Sequence, residues 1–478
     1  MAADRNILVI SDLHLGEDLR PGVAKVSYLQ HVVALEGALE AFLDHHTSNR
    51  LDEKPWTLVV NGDMVDFLSV QIPSTADGLE GLDLDDEERL YGLGFDERHS
   101  QKKLEQVMLR HQGVFGRLAS FVAAGNQLVI IVGNHDPEFH YPRVQQTLVE
   151  WLCGFAVGAG ADQEARDVFS ARVSFCPWFF YEPDLCYIEH GHQYDENCSV
   201  DYLLNPVARR RGGKKSGIAL SVAHAGMRYF ANRLPDYNPH TAEEWGAIDY
   251  MKWAWANGVR GAIRLFYLYG MLVWKLVETW YTMRAADGER RAVHHARLQE
   301  LARSFEFAEE KLVALDALHR EPVSRRFWSI LQLFCVDRLA LVAVGLVSSS
   351  WLLWGLSGIH RVLAPLAVLA VCGVAATVLG RLRLQTPSNK LRTATRLVQS
   401  LMCAPVIVFG HTHAPEQVPL GGGATYFNTG TWASSDPSHA FTHLLVARRN
   451  QAVSAELRQW RQGASQPYLG VDRLVKGV

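Results

Sequence analysis

None of the seven cysteines (Cys153, Cys176, Cys186, Cys198, Cys335, Cys372 and Cys403) stands in a CxxC pair, and their number is odd. That argues against a disulfide framework and against a structural zinc site, and reduced thiols in the cytosol are the expected state. Positive charge is not in excess either: 47 Lys and Arg against 51 Asp and Glu leave a formal net charge of −4. General nucleic-acid binding calls for a basic surface, so no nucleic-acid partner is expected. Nor does a basic leader with an apolar run precede the strand-like residues Asn6 to Ser11, so no cleaved signal peptide is expected. The composition is otherwise that of a globular protein, and 478 residues suffice for more than one domain.

Five short blocks carry the chemistry. They are Asp12-Leu13-His14, Gly62-Asp63 with Asp66, Gly133-Asn134-His135-Asp136, His190-Gly191-His192, and Gly410-His411-Thr412-His413. Each follows a β-branched and aliphatic run: ILVIS, TLVV, LVIIV, LCYIE or PVIVF. Every block would therefore sit beyond the carboxyl end of a strand, where open α/β sheets build their sites. A single DxH or HxH arises often by chance, whereas five blocks of metal-ligand residue types, all at strand ends, form a pattern.

In this order the blocks resemble the calcineurin-like metallophosphoesterase family, whose pattern is DxH, GDxxD, GNHD, a single His before Gly, and GHxH. The resemblance implies an α/β sandwich of two mixed β-sheets flanked by helices, with two divalent metal ions (Mn, Fe or Zn). It puts Asp12, His14 and His413 with Asp63 on the first metal, and Asn134, His190 and His411 with Asp63 on the second, so that Asp63 is the bridge. It gives His135 a catalytic role facing the substrate, with Asp136 holding its tautomer as a His–Asp dyad. Two close ions lower the pKa of a bridging water and clamp the phosphoryl group, so the implied activity is hydrolysis of a phosphate ester or pyrophosphate by a metal-bridging hydroxide. The resemblance makes His190, which precedes the Gly, the ligand of its block, and leaves His192 for substrate or a supporting carboxylate. Asp66 is read as a group behind the ligands, and Asn428, Gly430 and Trp432 as structural.

Strand-like and helical runs alternate up to about Asn197, and strands return from Pro405. Between them the residues favour helices. One α/β domain, residues 1–199 and 396–478, is thus expected to be interrupted by a helical insertion, residues 200–395. A single helix is expected over Lys102 to Ala124, capped by Gly125. The acidic stretch between Gly78 and Asp96 reads as a solvated loop or a mobile cover. The three-and-four spacing of Leu298, Leu301, Phe305, Ala308, Leu312 and Leu315 predicts one helix packed on a neighbour.

Inside the insertion, Leu339 to Leu356 and Val362 to Leu379 lack any charged residue and are joined by five residues. Each is close to the length of about 20 residues that crosses a bilayer core. A transmembrane hairpin is the sharper reading, and a buried or re-entrant helix pair the other. Arg325, Arg326 and Arg338 precede the pair, and Arg381, Arg383 and Lys390 follow it. By the positive-inside rule those flanks, and the catalytic domain with them, face the cytoplasm. Trp328, Trp351 and Trp354 fall near the expected interfaces, and the basic run Arg209-Arg210-Arg211 with Lys214-Lys215 suits anionic headgroups as well as a solvated loop. The aromatic stretch Ile263 to Tyr281 is read as an interfacial amphipathic helix or as part of a helical core.

A membrane anchor points to a phosphoester substrate at the membrane, lipid-linked in the sharper reading. The DLHL opening and GHTH close are similar to the branch that cleaves UDP-2,3-diacylglucosamine pyrophosphate, although that branch has Arg where this chain has His135 and lacks so long an insertion. The alternatives are an anchored protein or nucleotide phosphatase and, from another class, a membrane scaffold or sensor with a non-catalytic metal site. The residues do not reveal the oligomeric state.

Overall fold

The computed structural model describes residues 5–20, 26–73, 79, 81–158, 162–208, 217–219, 221–234, 247–283, 287–334, 336–382, 386–449 and 452–470. The first strands are β1 (Asn6–Ile10), β2 (Trp56–Asn61), β3 (Gln127–Ile131), β4 (Val173–Cys176), β5 (Phe179–Glu182) and β6 (Cys186–Glu189). A two-residue pair follows, β7 (Val207–Ala208) with β8 (Gly217–Ile218). After the helical insertion come β9 (Val406–Phe409), β10 (Glu416–Gly421), β11 (Ala424–Asn428), β12 (Thr442–Arg449), β13 (Ala452–Arg461) and β14 (Ala464–Pro467).

Two mixed sheets result. One runs β14-β13-β12-β1-β2-β3-β4, the other β10-β11-β9-β6-β5. In the first, β1 to β4 are parallel, with Val9 opposite Val59 and Val59 opposite Val129. In the second, β6, β9 and β11 are parallel. Each sheet thus takes strands from both ends of the chain.

Strand alternation sorts the side chains into layers. Ile7, Val9, Val59 and Val129 of the first sheet share a core with Ile188, Val406, Val408 and Phe427 of the second. The alternate residues Leu8, Ile10, Leu58, Val60 and Leu128 pack outward on Leu39, Phe42, Val107, Phe115 and Leu148 of the covering helices. On the far side, Tyr187, Ile407 and Phe409 meet Leu298, Leu312, Leu391 and Val398. Burial on both faces explains why β1, β2 and β3 are near-continuous Val, Ile and Leu.

Several expectations are corrected. The helix foreseen over Lys102 to Ala124 is two helices, Glu97–Arg110 and Gln112–Ala123. They break at His111, whose ring is drawn to Glu36 (2.7 Å) and accepts from the Gly16 amide (3.0 Å). The leucine pattern from Leu298 to Leu315 likewise spans two helices, Asp287–Ser304 and Glu309–Asp316, because Glu306 takes a left-handed backbone (φ 55°). The acidic stretch is not simply solvated. Asp85 and Glu88 form a capping box for the helix Asp86–Tyr91, and Tyr91, Leu93 and Phe95 are buried. The basic run at Arg209–Arg211 and Lys214–Lys215 lies outside the described residues.

The two apolar stretches form helices Val336–Gly355 and His360–Leu382, each long and apolar enough to cross a membrane. They pack on each other where Gly345 leaves room for Cys372, and Ser349 Oγ donates to the Pro365 carbonyl (3.2 Å). Only 11% and 6% of their apolar windows is buried. They are thus not packed into the core of this chain. Lys390, expected among the flanking cations, instead turns inward to Asp195 (3.3 Å) and Glu196 (2.8 Å).

Candidate metal centre

All five runs named from sequence are strands, β1, β2, β3, β6 and β9, and their blocks meet at the carboxyl ends. The ligand atoms of Asp12, His14 and His413 lie within 4.8 Å of one another, as do those of Asp12, Asp63 and His190. Asp12 and Asp63 tie the groups together, since His14, Asp63 and His135 form a further such set.

The backbone is bent to achieve this. Asp12, His14, Asp63, His411 and His413 all have positive φ, between 49° and 68°. Left-handed backbone costs a non-glycine residue roughly 1–2 kcal/mol. Five adjacent instances at one spot are strain held in place by the surrounding fold, as is common at functional sites. Hydrogen bonds supply that hold. The Asp12 and His14 amides donate to the Gly62 and Asp63 carbonyls, and the Asp12 carbonyl accepts from the Trp432 amide and from Thr431 Oγ1.

The glycines of the blocks make room. A Cβ on Gly62 would collide with the His190 ring, and one on Gly133 with the Asp63 carboxylate. Asn428 Nδ2 donates to the Gly410 carbonyl (2.7 Å), Asn428 Oδ1 accepts from the Gly430 amide, and Trp432 Nε1 donates to the Thr442 carbonyl. Asn428, itself held by Gly430, therefore braces the loop that carries His411 and His413, while Trp432 ties Thr442 to the Asp12 loop.

The donor atoms fit divalent metal. His14 Nε2 and His413 Nε2 are 3.3 Å apart, and His413 Nε2 is 3.2 Å from Asp12 Oδ1, which is buried and makes no hydrogen bond. Ligands each about 2.0–2.2 Å from a shared ion lie at such separations. On the other side, the His190 ring donates Nδ1–H to the Asn61 carbonyl (2.8 Å). Its Nε2 faces Asp63 Oδ2 (3.2 Å) and Asn134 Oδ1 (3.1 Å). Fixing one ring nitrogen as donor frees the other as a ligand. Burial opposes charge on Asp12 and Asp63, yet His413 holds Asp12 below the usual carboxylate range, and His190 and His135 hold Asp63 well below it.

His411 is grouped within 4.8 Å not with Asp63 and His190 but with Cys198 and Asp195, which sequence reading missed. Its Nε2 is 3.6 Å from Asp195 Oδ2, and its ring is 5.5 Å from that of His190. Asp195 follows His190 by five positions, which is the signal that could have revealed it. His192 is buried with Nδ1 unpartnered and Nε2 3.0 Å from the Gln193 amide nitrogen, beside His190 rather than among the grouped ligand atoms.

Asp136 is not beside His135 as a dyad partner. Its two oxygens accept from the Gly133 and Met64 amides (both 2.7 Å), stitching two loops together. Burial, then the nearby Asp63 charge, raise its pKa to about 7. The carboxylate against His135 belongs to Asp66, 3.1 Å from Nδ1, and its other oxygen is 3.9 Å from His14 Nδ1. Adjacency in sequence points successive side chains in different directions, whereas Asp66, on the loop after β2, faces the β3 loop across the sheet.

The insertion also carries a buried histidine. His224, on the helix Val222–Tyr229, is buried, with Nδ1 2.7 Å from Ser221 Oγ and Nε2 unpartnered. Burial first, and then the charge of His135, hold its pKa down to about 3, so it is neutral. No spacing relative to the five blocks marks it in the sequence. Compared with known proteins, the chain matches no family model and no curated protein.

Proposed function

We propose that this chain is a dinuclear metal-dependent phosphoesterase with a calcineurin-like sandwich, residues 1–199 and 396–478, anchored by a two-helix hairpin with its catalytic side in the cytoplasm. The observation that carries the reading is the convergence of imidazole and carboxylate atoms from five strand ends, on left-handed backbone, around Asp12 and Asp63. Asp12, His14 and His413 would hold one ion and Asn134, His190 and His411 the other, with Asp63 shared. When bound, such a pair supplies an activated water at neutral pH and neutralises phosphoryl charge.

The chain's own groups do the remainder. Asp66 fixes His135 as an Nδ1 donor, which leaves Nε2 to face substrate and to manage a proton on the leaving oxygen. Asp195, 3.6 Å from His411 Nε2, would bias that imidazole's orientation by its charge. The exposed hairpin supports a membrane location, and with it a substrate presented at the bilayer.

The test is a purified, detergent-solubilised protein assayed with Mn, Fe or Zn against aryl phosphate, aryl phosphodiester, nucleotide and lipid-linked pyrophosphate substrates. Hydrolysis that is lost on chelation and restored by metal is the expected result. A protein that binds two ions yet turns over none of these esters would favour a sensor or scaffold.

A further inference from the structure

The helix Gly258–Met283 has two unlike faces. Leu268, Leu272 and Leu276 are buried against the body of the protein, and Lys275 on the same side bonds Glu87 (2.8 Å). Opposite them Val259, Ile263, Phe266, Tyr267 and Trp274 are exposed, Phe266 by 77% and Trp274 by 64%. At helical spacing these five fall within an arc of roughly 100° that contains no charged residue. Trp255 at the end of the preceding helix is 90% exposed. Soluble surfaces rarely carry so much contiguous apolar and aromatic area without a partner.

The position of this helix says what the partner is. Tyr269 Oη donates to the Phe334 carbonyl and the two rings meet edge to face, while Trp280 packs on Phe327. Phe334 ends the short helix Phe327–Leu333, just ahead of the first hairpin helix at Val336. The helix that carries the exposed stripe is therefore fastened to the root of the hairpin. Trp328, at the same root, is 71% exposed.

We infer that the helix Gly258–Met283 lies in the plane of the bilayer interface, with Val259, Ile263, Phe266, Tyr267 and Trp274 seated at the boundary between headgroups and acyl chains. Aromatic side chains with an apolar body and a polar tip favour that layer, and an amphipathic helix there buries its apolar face by roughly 5–10 Å. The docked side of the helix packs on Val222–Tyr229, where Tyr229 Oη and Lys275 Nζ both bond Glu87. Just beyond that neighbour Asn232 Nδ2 donates to the Leu68 carbonyl (2.9 Å), on the loop that carries Asp66. The helix is thus tied through one neighbour to the loop that carries Asp66, an arrangement suited to a phosphoester whose apolar part stays in the membrane. This last point rests on the phosphoesterase reading. The interfacial placement does not.

The experiment places a nitroxide, through an encoded keto amino acid that leaves the cysteines untouched, at Val259, Ile263 or Phe266 of the full chain, with Ser435 as an exposed control. The protein is reconstituted in vesicles of phosphatidylcholine with a minor fraction of phosphatidylglycerol. Collision with oxygen should exceed collision with a water-soluble nickel chelate at the three helix positions and fall below it at Ser435. Labels at Val259, Ile263 and Phe266 that meet the nickel chelate as readily as Ser435 would overturn the placement. So would shielding from both reagents, which would mark contact with a second copy of the chain. A depth result of either kind stands whether or not the protein hydrolyses phosphoesters.

Discussion

Asp66 Oδ1 lies 3.1 Å from His135 Nδ1, and Asp66 also accepts from the Leu68 and Ser69 amides and from Ser69 Oγ. The carboxylate is thereby locked before it meets the imidazole. Asp66→Asn should keep two ions per chain and lower kcat by about 10–100-fold, the usual cost of losing a group that orients a site residue. Asp136→Ala should act on stability instead. It leaves the buried Gly133 and Met64 amides unpaired, at about 1–3 kcal/mol each. Thermal melting and elemental analysis of the two variants separate these outcomes, and equal melting temperatures would contradict the assignment.

Asp63 joins both ligand sets, so Asp63→Ala should lose bound metal and activity together. His135→Ala should retain its metal and lose about 10²–10⁴-fold in rate, as expected of one acid–base group. His135 also lies within ligand range of Asp63 and His14. A fall in metal content with His135→Ala would make it a ligand.

A hairpin that spans the bilayer should keep the full chain in the membrane pellet through an alkaline carbonate wash, with release by detergent alone. Deleting residues 339–379 removes no candidate ligand. That variant should come off membranes in carbonate, because an interfacial helix alone does not anchor irreversibly. Full-length protein in the wash supernatant would count against the anchor.

Glu87 ties the insertion helices to the body. Burial alone would raise its pKa, but Lys275, Tyr229 and Arg228 outweigh burial and lower it to about 2. A lowered carboxylate pKa means stability that is fully present above the unfolded value near 4.5 and lost as pH falls toward 2. Amide hydrogen exchange in the helix Gly258–Met283 should therefore speed up relative to β1 and β2 across that acid window. Glu87→Gln should flatten the difference. Exchange that tracks the strands at every pH would show that Glu87 does not gate this docking.

How much was legible without coordinates follows from range. The strands ILVIS, TLVV, LVIIV, LCYIE and PVIVF, and the ligand types directly behind them, are local facts, because uninterrupted β-branched runs buried on both faces have few other uses. The apolar hairpin is equally local, being a matter of length and missing charge. The kink at His111 and the break at Glu306 were not legible, since each depends on a side chain or turn whose partner is distant or unmarked in sequence. The same holds at the site. Adjacency suggested Asp136 as the partner of His135, but in the loop after β3 the two side chains diverge, and Asp66 comes across from the loop after the neighbouring strand β2. His224 is buried within an insertion that has no motif of its own, and Lys390, a flanking cation by position, is committed to Asp195. The chain by itself determines which residues can bind metal and where apolar length exceeds what a core needs. Which carboxylate orients which imidazole, and which helix face is left bare at the root of the hairpin, is decided only when distant segments pack, because those relations are set by three-dimensional neighbours rather than by spacing along the chain.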